Sequence, residues 1–333
     1  MGLVGVGSAA TRAHLPALSV AEAAGGITLV GVCDPAADRR EAVVAAHRSA
    51  RGFGDNDEML DEVRPDLLII ATPPSAHLGE IGAALARGVH VLCEKPLGLR
   101  DADVAELREL ARSDQELALA TVHQYRHAQP WRWLARAAAG GLVNGESVRI
   151  DVAVERPGTD PLSAGGWRAD PEHEGGILGD HAVHYLSLLR ELHPDCRVVG
   201  CHREGRGGRE VASIDLRLAG VGVAHIDVSY AGERRHNLIR LQRPAQCLEV
   251  TWEDGAFTVA HNGQAAAPRA VASLSDRATV NALYSPMYAD LISGIVDPQW
   301  RAHATAHSVE VAALLATSLG LAGGPRSVNP CWC

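Results

Sequence analysis

The first third of the chain alternates short apolar runs with longer segments whose apolar residues recur at helical spacing. The apolar runs are nearly continuous and lie at 2–6, 27–33, 66–72, 89–93 and 117–122. Ala-rich amphipathic segments separate them, near 10–23, 36–49, 76–87 and 101–113. Strands that alternate with helices form crossover units around a parallel sheet, and continuous apolar runs fit strands buried on both faces. The pattern therefore predicts a doubly wound parallel sheet, an α/β fold of the Rossmann type.

From about residue 145 the spacing of apolar residues changes to period two. Alternating runs lie at 147–155, 212–219, 222–230, 236–243, 246–253 and 256–262. Glycines at 220–222 and 254–255 predict hairpin turns between neighbouring runs. This pattern predicts an α+β domain with a large, mostly antiparallel sheet, one face covered by helices and the other solvated or buried by a partner.

The length of 333 residues exceeds what one simple core usually supports, which predicts two domains. We expect a dinucleotide-binding domain over 1–122 and a substrate-binding and oligomerisation domain over 123–333. An Ala- and Leu-rich helix is expected at 302–321, as a segment able to pack back on the first domain.

Composition and charge exclude several classes of function. The net charge of −9 argues against a nucleic-acid partner, which favours a basic surface. We find no 18-residue apolar run and no basic leader followed by an apolar one, so we expect no membrane partner and a cytoplasmic location. The seven scattered cysteines fit free thiols, and no spacing predicts a metal site.

The first predicted strand runs into a glycine loop that carries a dinucleotide-binding pattern. Gly5, Gly7 and Ala10 form G-x-G-x-x-A, in which the glycines permit a tight turn and close approach of a pyrophosphate. Asp34 follows the second strand, near the spacing at which a carboxylate binds ribose hydroxyls. A carboxylate there repels a 2′-phosphate, so we expect NAD, with NADP left open by the nearby Arg39 and Arg40. The alternative for Asp34 is a helix cap ahead of Pro35.

Two further strand ends are expected at the same edge of the sheet, where open α/β folds bind ligands. The third strand ends in "ATPPSAH" (71–77), where two prolines predict an extended loop. The next strand ends in Glu94-Lys95-Pro96, and Lys95 is the only lysine in the sequence. A lysine that merely escaped codon drift to arginine is the alternative, but its predicted place is the cofactor crevice.

Four stretches of the sequence resemble the glucose–fructose oxidoreductase / inositol dehydrogenase / rhizopine-catabolism (Gfo/Idh/MocA) family. They are "GVGSAATRAHLPAL" (5–18), "ATPPSAHLGEIGAALARGVHVLCEKPLG" (71–98), "HQYRHAQP" (123–130) and "WRADPEHEGGILGDHAVHYL" (167–186). The resemblance implies a Rossmann domain followed by a domain with a large sheet that packs face to face in a homodimer or homotetramer. It also implies hydride transfer at a carbinol carbon of a sugar or cyclitol, with NAD(H) or NADP(H).

The resemblance implies that Lys95, Asp180 and His184 line the catalytic site. His184 is the natural base because its ordinary pKa lies near neutrality, and Asp180 precedes it by four residues, on one face of a helix. Lys95 would stabilise a developing alkoxide, which an always-protonated planar arginine is less suited to do. The sequence departs from the family pattern at Gln124, Glu174 and His181.

Residues expected to contact the cofactor follow the strand ends: Gly5, Gly7, Ser8, Ala9, Asp34, Thr72, Pro73, His77 and Glu94. Weaker candidates for contact with the substrate are Tyr125, Arg126, Trp167, Arg168 and His181. A structural anchor and a surface ion pair are equally good interpretations of Trp167 and Arg168.

The sequence thus predicts an NAD(H)-dependent oxidoreductase with Lys95 and His184 as its acid/base pair. Its partner would be a small polar substrate: a sugar, amino sugar, nucleotide sugar or cyclitol. Two alternatives stay open, a reductase of imine or enol-type bonds and a non-catalytic protein that senses nucleotides. Retention of Lys95, Asp180 and His184 together argues against the sensor.

Overall fold

The structure is a computed structural model that describes residues 1–139, 147–159, 175–205, 207–253, 256–266 and 277–322. The chain divides into two compact units. Unit 1 comprises Met1–Gly98, Ala102–His127 and Leu274–Val309, and unit 2 comprises Leu99–Asp101, Ala128–Ser273 and Glu310–Cys333. The chain therefore passes between the units several times, which a single boundary after residue 122 does not describe.

Unit 1 is built on a six-stranded parallel sheet with the strand order β3-β2-β1-β4-β5-β6. Its strands are β1 (Gly2–Val4), β2 (Gly31–Cys33), β3 (Arg51–Phe53), β4 (Leu67–Ile70), β5 (His90–Cys93) and β6 (Leu119–Thr121). The predicted doubly wound parallel sheet is confirmed. The apolar pattern missed β3, because it lies at the edge of the sheet and Arg51 and Gly52 are exposed there.

The helices that follow these strands are α1 (Leu15–Ala23), α2 (Ala37–Ala46), α3 (Asn56–Val63), α4 (Pro74–Leu85) and α5 (Asp101–Ser113). The prediction of an extended loop over 71–77 was wrong: Pro74 begins α4 and Pro73 is its N-cap. A proline at the first helical position costs nothing, because its missing N–H would have no helical partner there. The loop after β4 is therefore shorter than expected, and His77 lies inside a helix.

Unit 2 contains an eight-stranded sheet in which β7 and β10 pair in parallel and the other pairs are antiparallel. Its strands are β7 (Val148–Pro157), β8 (Cys196–Glu204), β9 (Val211–Leu218), β10 (Gly222–Gly232), β11 (His236–Arg243), β12 (Gln246–Glu253), β13 (Ala256–His261) and β14 (Gln264–Ala266). The predicted mostly antiparallel sheet is confirmed. Strand β8 was missed because a bulge between Val198 and Gly200 breaks its alternation.

The hairpin predicted at 220–222 joins β9 to β10. A Cβ on Gly222 would lie 1.8 Å from the Val148 carbonyl oxygen, so only glycine allows β10 and β7 to approach this closely. The turn predicted at 254–255 lies outside the described residues.

The remaining helices are α6 (Gln129–Ala139), α7 (Val183–Leu192), α8 (Arg277–Gly294) and α9 (Pro298–Leu321). Helix α9 begins four residues before the predicted 302. Within the described ranges, α9 alone is long and apolar enough to cross a membrane by length and composition, but 56% of its most apolar window is buried inside the protein. In unit 1 its Thr305 hydroxyl accepts the Leu119 N–H at 3.0 Å, so this helix covers a backbone group of β6.

Candidate active site

The glycine loop after β1 has the geometry that its sequence predicts. Gly5 has φ +85°, and a Cβ there would lie 2.7 Å from the Ala71 carbonyl carbon, so the turn requires glycine. A Cβ on Gly7 would meet no atom within 4 Å, which leaves the backbone open to a ligand. A π-helical segment, Ala10–His14, follows and continues into α1. Since a side chain at Gly7 would fill this space, the loop fits the close approach of a pyrophosphate.

Asp34 fixes the glycine loop through hydrogen bonds to the backbone. One carboxylate oxygen accepts the Val6 N–H at 2.7 Å, and the other accepts the Ala36 N–H at 2.9 Å ahead of α2. Asp34 thus accepts a backbone N–H just ahead of α2, as the alternative interpretation of a helix cap predicts, but the N-cap residue itself is Ala36. A carboxylate offers about four acceptor positions, so two remain for ribose hydroxyls. The cofactor role of Asp34 stays a prediction.

The arginines that left NADP open lie after Asp34. Arg40 donates to the carbonyl oxygens of Asp34 and Pro35, at 3.1 and 3.2 Å, and Arg39 is exposed. One guanidinium nitrogen of Arg40 is therefore engaged with the backbone of this turn.

His77 is placed differently from its sequence interpretation. Its ring is fully buried, with Nδ1 2.9 Å from the Pro96 carbonyl oxygen and Nε2 3.0 Å from that of Thr72. Burial lowers the pKa of His77 and outweighs these two hydrogen bonds, so the ring is neutral and donates to one carbonyl at a time. This burial argues against direct contact between the ring and a cofactor and indicates that His77 fixes the loops after β4 and β5.

The hydroxyl of Thr72, a predicted cofactor contact at the end of β4, is bonded to a glutamate that sequence reasoning missed. It donates to Oε2 of Glu80, on α4, at 2.5 Å. Burial raises the pKa of Glu80 to about 7, although the Thr72 hydrogen bond lowers it in part. Pro73, the next predicted contact, is exposed.

Lys95 stands two residues after β5, at the carboxyl edge of the parallel sheet, and is half-buried. The preceding Glu94 is buried: its Oε1 lies 2.9 Å from His14 Nε2, and its Oε2 accepts the Lys95 backbone N–H at 3.2 Å. Burial alone raises the pKa of Glu94, but the hydrogen bond from His14, together with the charge of Lys95, outweighs it and lowers that pKa. The carboxylate is thus held ionised beside the lysine.

In unit 2, Asp180 lies in a π-helical segment, Leu178–Ala182, that leads into α7 with His184. Asp180 and His184 are both buried, as is His181. The Tyr230 hydroxyl donates to Asp180 Oδ2 at 2.8 Å, and His181 Nε2 lies 3.5 Å from the same oxygen. Asp180 was expected to bond the His184 imidazole or the substrate. The structure joins it to Tyr230 and places His181 beside it, and both expected contacts stay predictions.

Two glycines bring the chain into this segment. Gly175 and Gly176 have φ +74° and +59°, and a Cβ on Gly176 would lie 2.4 Å from Glu210 Oε1. Glu210 is buried and paired with Arg203 Nε at 2.5 Å. Burial raises the pKa of Glu210, against the lowering effects of Arg203 and the Ile177 N–H. This ion pair therefore holds the first turn of the segment that carries Asp180.

The weaker candidates for contact with the substrate lie in different parts of the chain. Tyr125 and Arg126 lie in a 3-10 segment, Gln124–His127, of unit 1. Arg126 lines a surface depression together with Leu92, Met287 and Leu291. Trp167 and Arg168 lie outside the described residues, as does Glu174. Among the described residues, no group of three or more His, Cys, Asp or Glu could hold a metal.

Sequence reasoning missed four side chains that join the predicted site residues: His14, Glu80, Tyr230 and Tyr288. One of them left a usable signal. Tyr230 is the last residue of the alternating run 222–230, on the same face as Ala224, Ile226 and Val228, which are buried. A tyrosine on this face is expected to be buried too, and its hydroxyl then needs a hydrogen-bond partner.

Two family models match the chain. Residues 1–122 match one described as "Oxidoreductase family, NAD-binding Rossmann fold", and residues 138–258 match the "GFO/IDH/MocA C-terminal domain". Together the matches cover more than two thirds of the 333 residues. Both models belong to one family and lie in the order in which that family's domains occur.

Curated relatives match over part of the chain. A 1,5-anhydro-D-fructose reductase from Ensifer adhaerens is 30% identical over 57% of this chain and 55% of its own length. A dTDP-3,4-didehydro-2,6-dideoxy-alpha-D-glucose 3-reductase from Streptomyces antibioticus is 31% identical over 60% of this chain and 58% of its own length. The chain spans about half the length of the curated relatives it matches.

Solved structures match over nearly the whole chain at lower identity. The WlbA dehydrogenase from Chromobacterium violaceum, in complex with NADH and UDP-GlcNAcA, is 21% identical with a TM-score of 0.75. The match covers 96% of this chain and 93% of that one. At this identity the likeness establishes the fold alone.

Proposed function

Because the chain belongs to the GFO/IDH/MocA oxidoreductase family, we propose that it transfers a hydride to or from a carbinol carbon of a small polar substrate, with NAD(H). The substrate class is a sugar, amino sugar, nucleotide sugar or cyclitol. Lys95 and His184 serve as the acid/base pair, and Asp180 supports His184. The named curated relatives act on sugars or nucleotide sugars, which supports this class.

One observation carries the proposal: a nucleotide-type glycine loop, its carboxylate and a lysine follow strands of one parallel sheet. The open Gly7 follows β1, Asp34 follows β2 and Lys95 follows β5. Because the strands are parallel, their carboxyl ends meet at the same edge, where open α/β sheets bind ligands. A cation at the edge proposed to bind the nucleotide can stabilise the alkoxide that develops during hydride transfer.

A nicotinamide cofactor, when bound, supplies the hydride donor or acceptor. The chain's part is to bind and orient it. The backbone of the Gly5–Ala9 loop would hold the pyrophosphate, and the free acceptor positions of Asp34 would bind the ribose hydroxyls. Since the Asp34 charge repels a 2′-phosphate and Arg40 is engaged with backbone carbonyls, we propose NAD over NADP.

The chemistry of the reacting oxygen falls to three side chains. The Lys95 ammonium stabilises negative charge that develops on it, and His184 moves its proton. Asp180 orients the histidine and the substrate. Lys95 belongs to unit 1, and Asp180 and His184 belong to unit 2.

We also propose a homodimer or homotetramer formed through the sheet of unit 2, and a cytoplasmic location. The burial pattern of β10 supports this assembly. Ile226 and Val228 on one face are buried in the core of unit 2, whereas Val223 on the opposite face is 48% exposed and available to a second copy of the chain.

The test is a substrate screen read at the absorbance band of the reduced nicotinamide. Purified protein is incubated with NAD or NADP and a panel of inositols, hexoses, amino sugars and nucleotide sugars. It is also incubated with NADH and the matching ketones, and with imines and enol-type compounds. We expect turnover on at least one polyol or its ketone. Turnover confined to imines or enol-type bonds would replace the proposed reaction. Cofactor binding with no turnover on any of these compounds would overturn the proposal in favour of a nucleotide sensor.

A further inference from the structure

Three buried side chains from distant parts of unit 1 meet behind Lys95. His14 ends the π-helical segment after the glycine loop, Glu94 follows β5, and Tyr288 lies on α8. His14 Nε2 lies 2.9 Å from Glu94 Oε1, and His14 Nδ1 lies 2.6 Å from the Tyr288 hydroxyl. The exposed fractions of His14, Glu94 and Tyr288 are 0%, 8% and 1%. The contacts are therefore shielded from solvent and from the screening that weakens surface pairs.

The direction of each hydrogen bond follows from the chemistry of the groups. An ionised carboxylate only accepts, so His14 Nε2 carries the proton and donates to Glu94. Burial and the nearby Glu94 charge raise the pKa of Tyr288 well above its ordinary value, so its hydroxyl keeps its proton and donates to Nδ1. Every polar atom in this chain of contacts then has a partner of the opposite kind, which fixes the orientation of the ring.

The fixed Glu94 carboxylate in turn holds the backbone of Lys95. Its second oxygen accepts the Lys95 backbone N–H at 3.2 Å. On the other side of Lys95, the Pro96 carbonyl lies 2.9 Å from His77 Nδ1. Two buried histidines therefore hold the backbone on either side of the lysine, and the side chain leaves from a fixed point.

We propose that His14 is a positioning residue for Lys95 and acts through the Glu94 carboxylate. His14 does not itself touch the reacting atoms in this scheme. It holds the Glu94 carboxylate so that the peptide of Lys95 presents the ammonium to one place at the edge of the sheet. The proposal rests on the proposed function only for its kinetic readout.

The chain offers a matched control in the same unit. His47 Nδ1 lies 2.6 Å from Glu22 Oε2, and Glu22 Oε1 accepts the Leu29 N–H at 2.7 Å. This is the same arrangement of histidine, carboxylate and backbone N–H, and His47 is also buried. It supports an ordinary part of the fold, so His47→Leu reports the cost of losing such a contact away from Lys95.

The first measurement needs no enzymatic activity, because Lys95 is the only lysine in the sequence. Protein grown with lysine labelled with ¹³C at Cε gives one methylene resonance, which reports the surroundings of the Lys95 ammonium. We expect His14→Leu to move this resonance and His47→Leu to leave it in place. His14→Gln should keep it near the wild-type position, since the Gln amide nitrogen can replace Nε2 as donor to Glu94.

The second measurement is kinetic, on the substrate found in the screen. We expect His14→Leu to lower kcat roughly 10-fold to 100-fold, because a misplaced group loses most of its contribution to the rate. KM and the dissociation constant of NADH, followed by its fluorescence, should change little. His14→Gln should recover most of kcat, and His47→Leu should stay close to wild type.

The outcomes separate the two proposals. A Lys95 resonance in His14→Leu that coincides with wild type overturns the positioning role, whatever the activity. A displaced resonance in a protein that turns over no substrate keeps the positioning role and overturns the proposed function. If His14→Leu does not fold, Glu94→Met gives the same test, because a side chain of similar length without an oxygen cannot accept the Lys95 N–H.

Discussion

The Tyr230 hydroxyl donates to Oδ2 of Asp180 at 2.8 Å, and both side chains are buried. Tyr230 lies near the end of β10, and Asp180 lies in the π-helical segment before α7. The bond therefore ties the sheet of unit 2 to the segment that leads to the proposed catalytic residues. The His181 ring lies edge-on to the Tyr230 ring at 5.5 Å and completes the cluster.

We expect Tyr230→Phe to fold normally and lower kcat. A hydrogen bond to a charged group contributes about 1.5–3 kcal/mol, so its loss from the transition state would slow turnover roughly 10-fold or more. Tyr185→Phe removes another buried tyrosine hydroxyl of unit 2 and serves as the control. Equal effects of the two variants would contradict a specific role for Tyr230.

Lys95→Arg tests the proposed cation. Arginine keeps the positive charge but replaces a compact ammonium with a planar guanidinium that stays protonated. We expect the variant to bind NADH like wild type and to lose most of its turnover, roughly 100-fold or more in kcat. Fluorescence titration and steady-state rates check the two halves separately. Near-wild-type turnover would remove Lys95 from the proposed chemistry.

How far the sequence predicts the fold depends on burial. Strand β4 is apolar throughout and β5 is apolar after its first residue, His90, and both were predicted from the pattern alone. Edge strand β3 and bulged strand β8 were not, because exposure and a register shift remove the periodicity on which such predictions depend.

The candidate site divides in a similar way. Lys95 and Asp180 lie in local motifs and were predicted, but their partners were not. His14 and Glu94 are 80 residues apart, and Asp180 and Tyr230 are 50 apart. Such pairs are brought together only by the tertiary fold, so no local sequence pattern predicts them. His77, by contrast, lies within a recognisable motif and was assigned to the cofactor, whereas its full burial gives it a structural part.

Asp34→Ala and Asp34→Asn test the preference for NAD. Both remove the charge that repels a 2′-phosphate, and Asn keeps the side-chain shape with one oxygen that can accept the N–H of Val6 or of Ala36. We expect the ratio of NADP to NAD affinity to rise about 10-fold, equivalent to about 1.4 kcal/mol, in both variants. Dissociation constants of the reduced cofactors check this. An unchanged ratio would leave Asp34 with only its contacts to the loop.

Glu80 predicts a pH dependence of stability. Its pKa is raised to about 7, chiefly by burial, so between about 4.5 and 7 the folded protein binds a proton that the unfolded chain releases. Stability therefore falls as pH rises through this window and is lowest above it. We expect Glu80→Gln to raise the free energy of unfolding at pH 8, on the order of 2 kcal/mol after allowance for partial exposure, and to change it little at pH 4.5. Urea titrations at both pH values measure this, with the exposed Glu41→Gln as control. A gain that does not depend on pH would contradict a raised pKa.

Substitution of the two loop glycines by alanine should affect different properties: stability at Gly5 and NADH affinity at Gly7. At Gly5, a Cβ would lie 2.7 Å from the Ala71 backbone and φ is +85°, so Gly5→Ala should lower the free energy of unfolding by about 2 kcal/mol or more. At Gly7, a Cβ would meet no atom within 4 Å, so Gly7→Ala should leave stability almost unchanged. The same methyl group would occupy the space proposed for the pyrophosphate and raise the dissociation constant of NADH about 10-fold or more. Thermal unfolding and NADH titration of both variants test the contrast. If Gly7→Ala binds NADH as wild type does, the pyrophosphate does not lie against this loop.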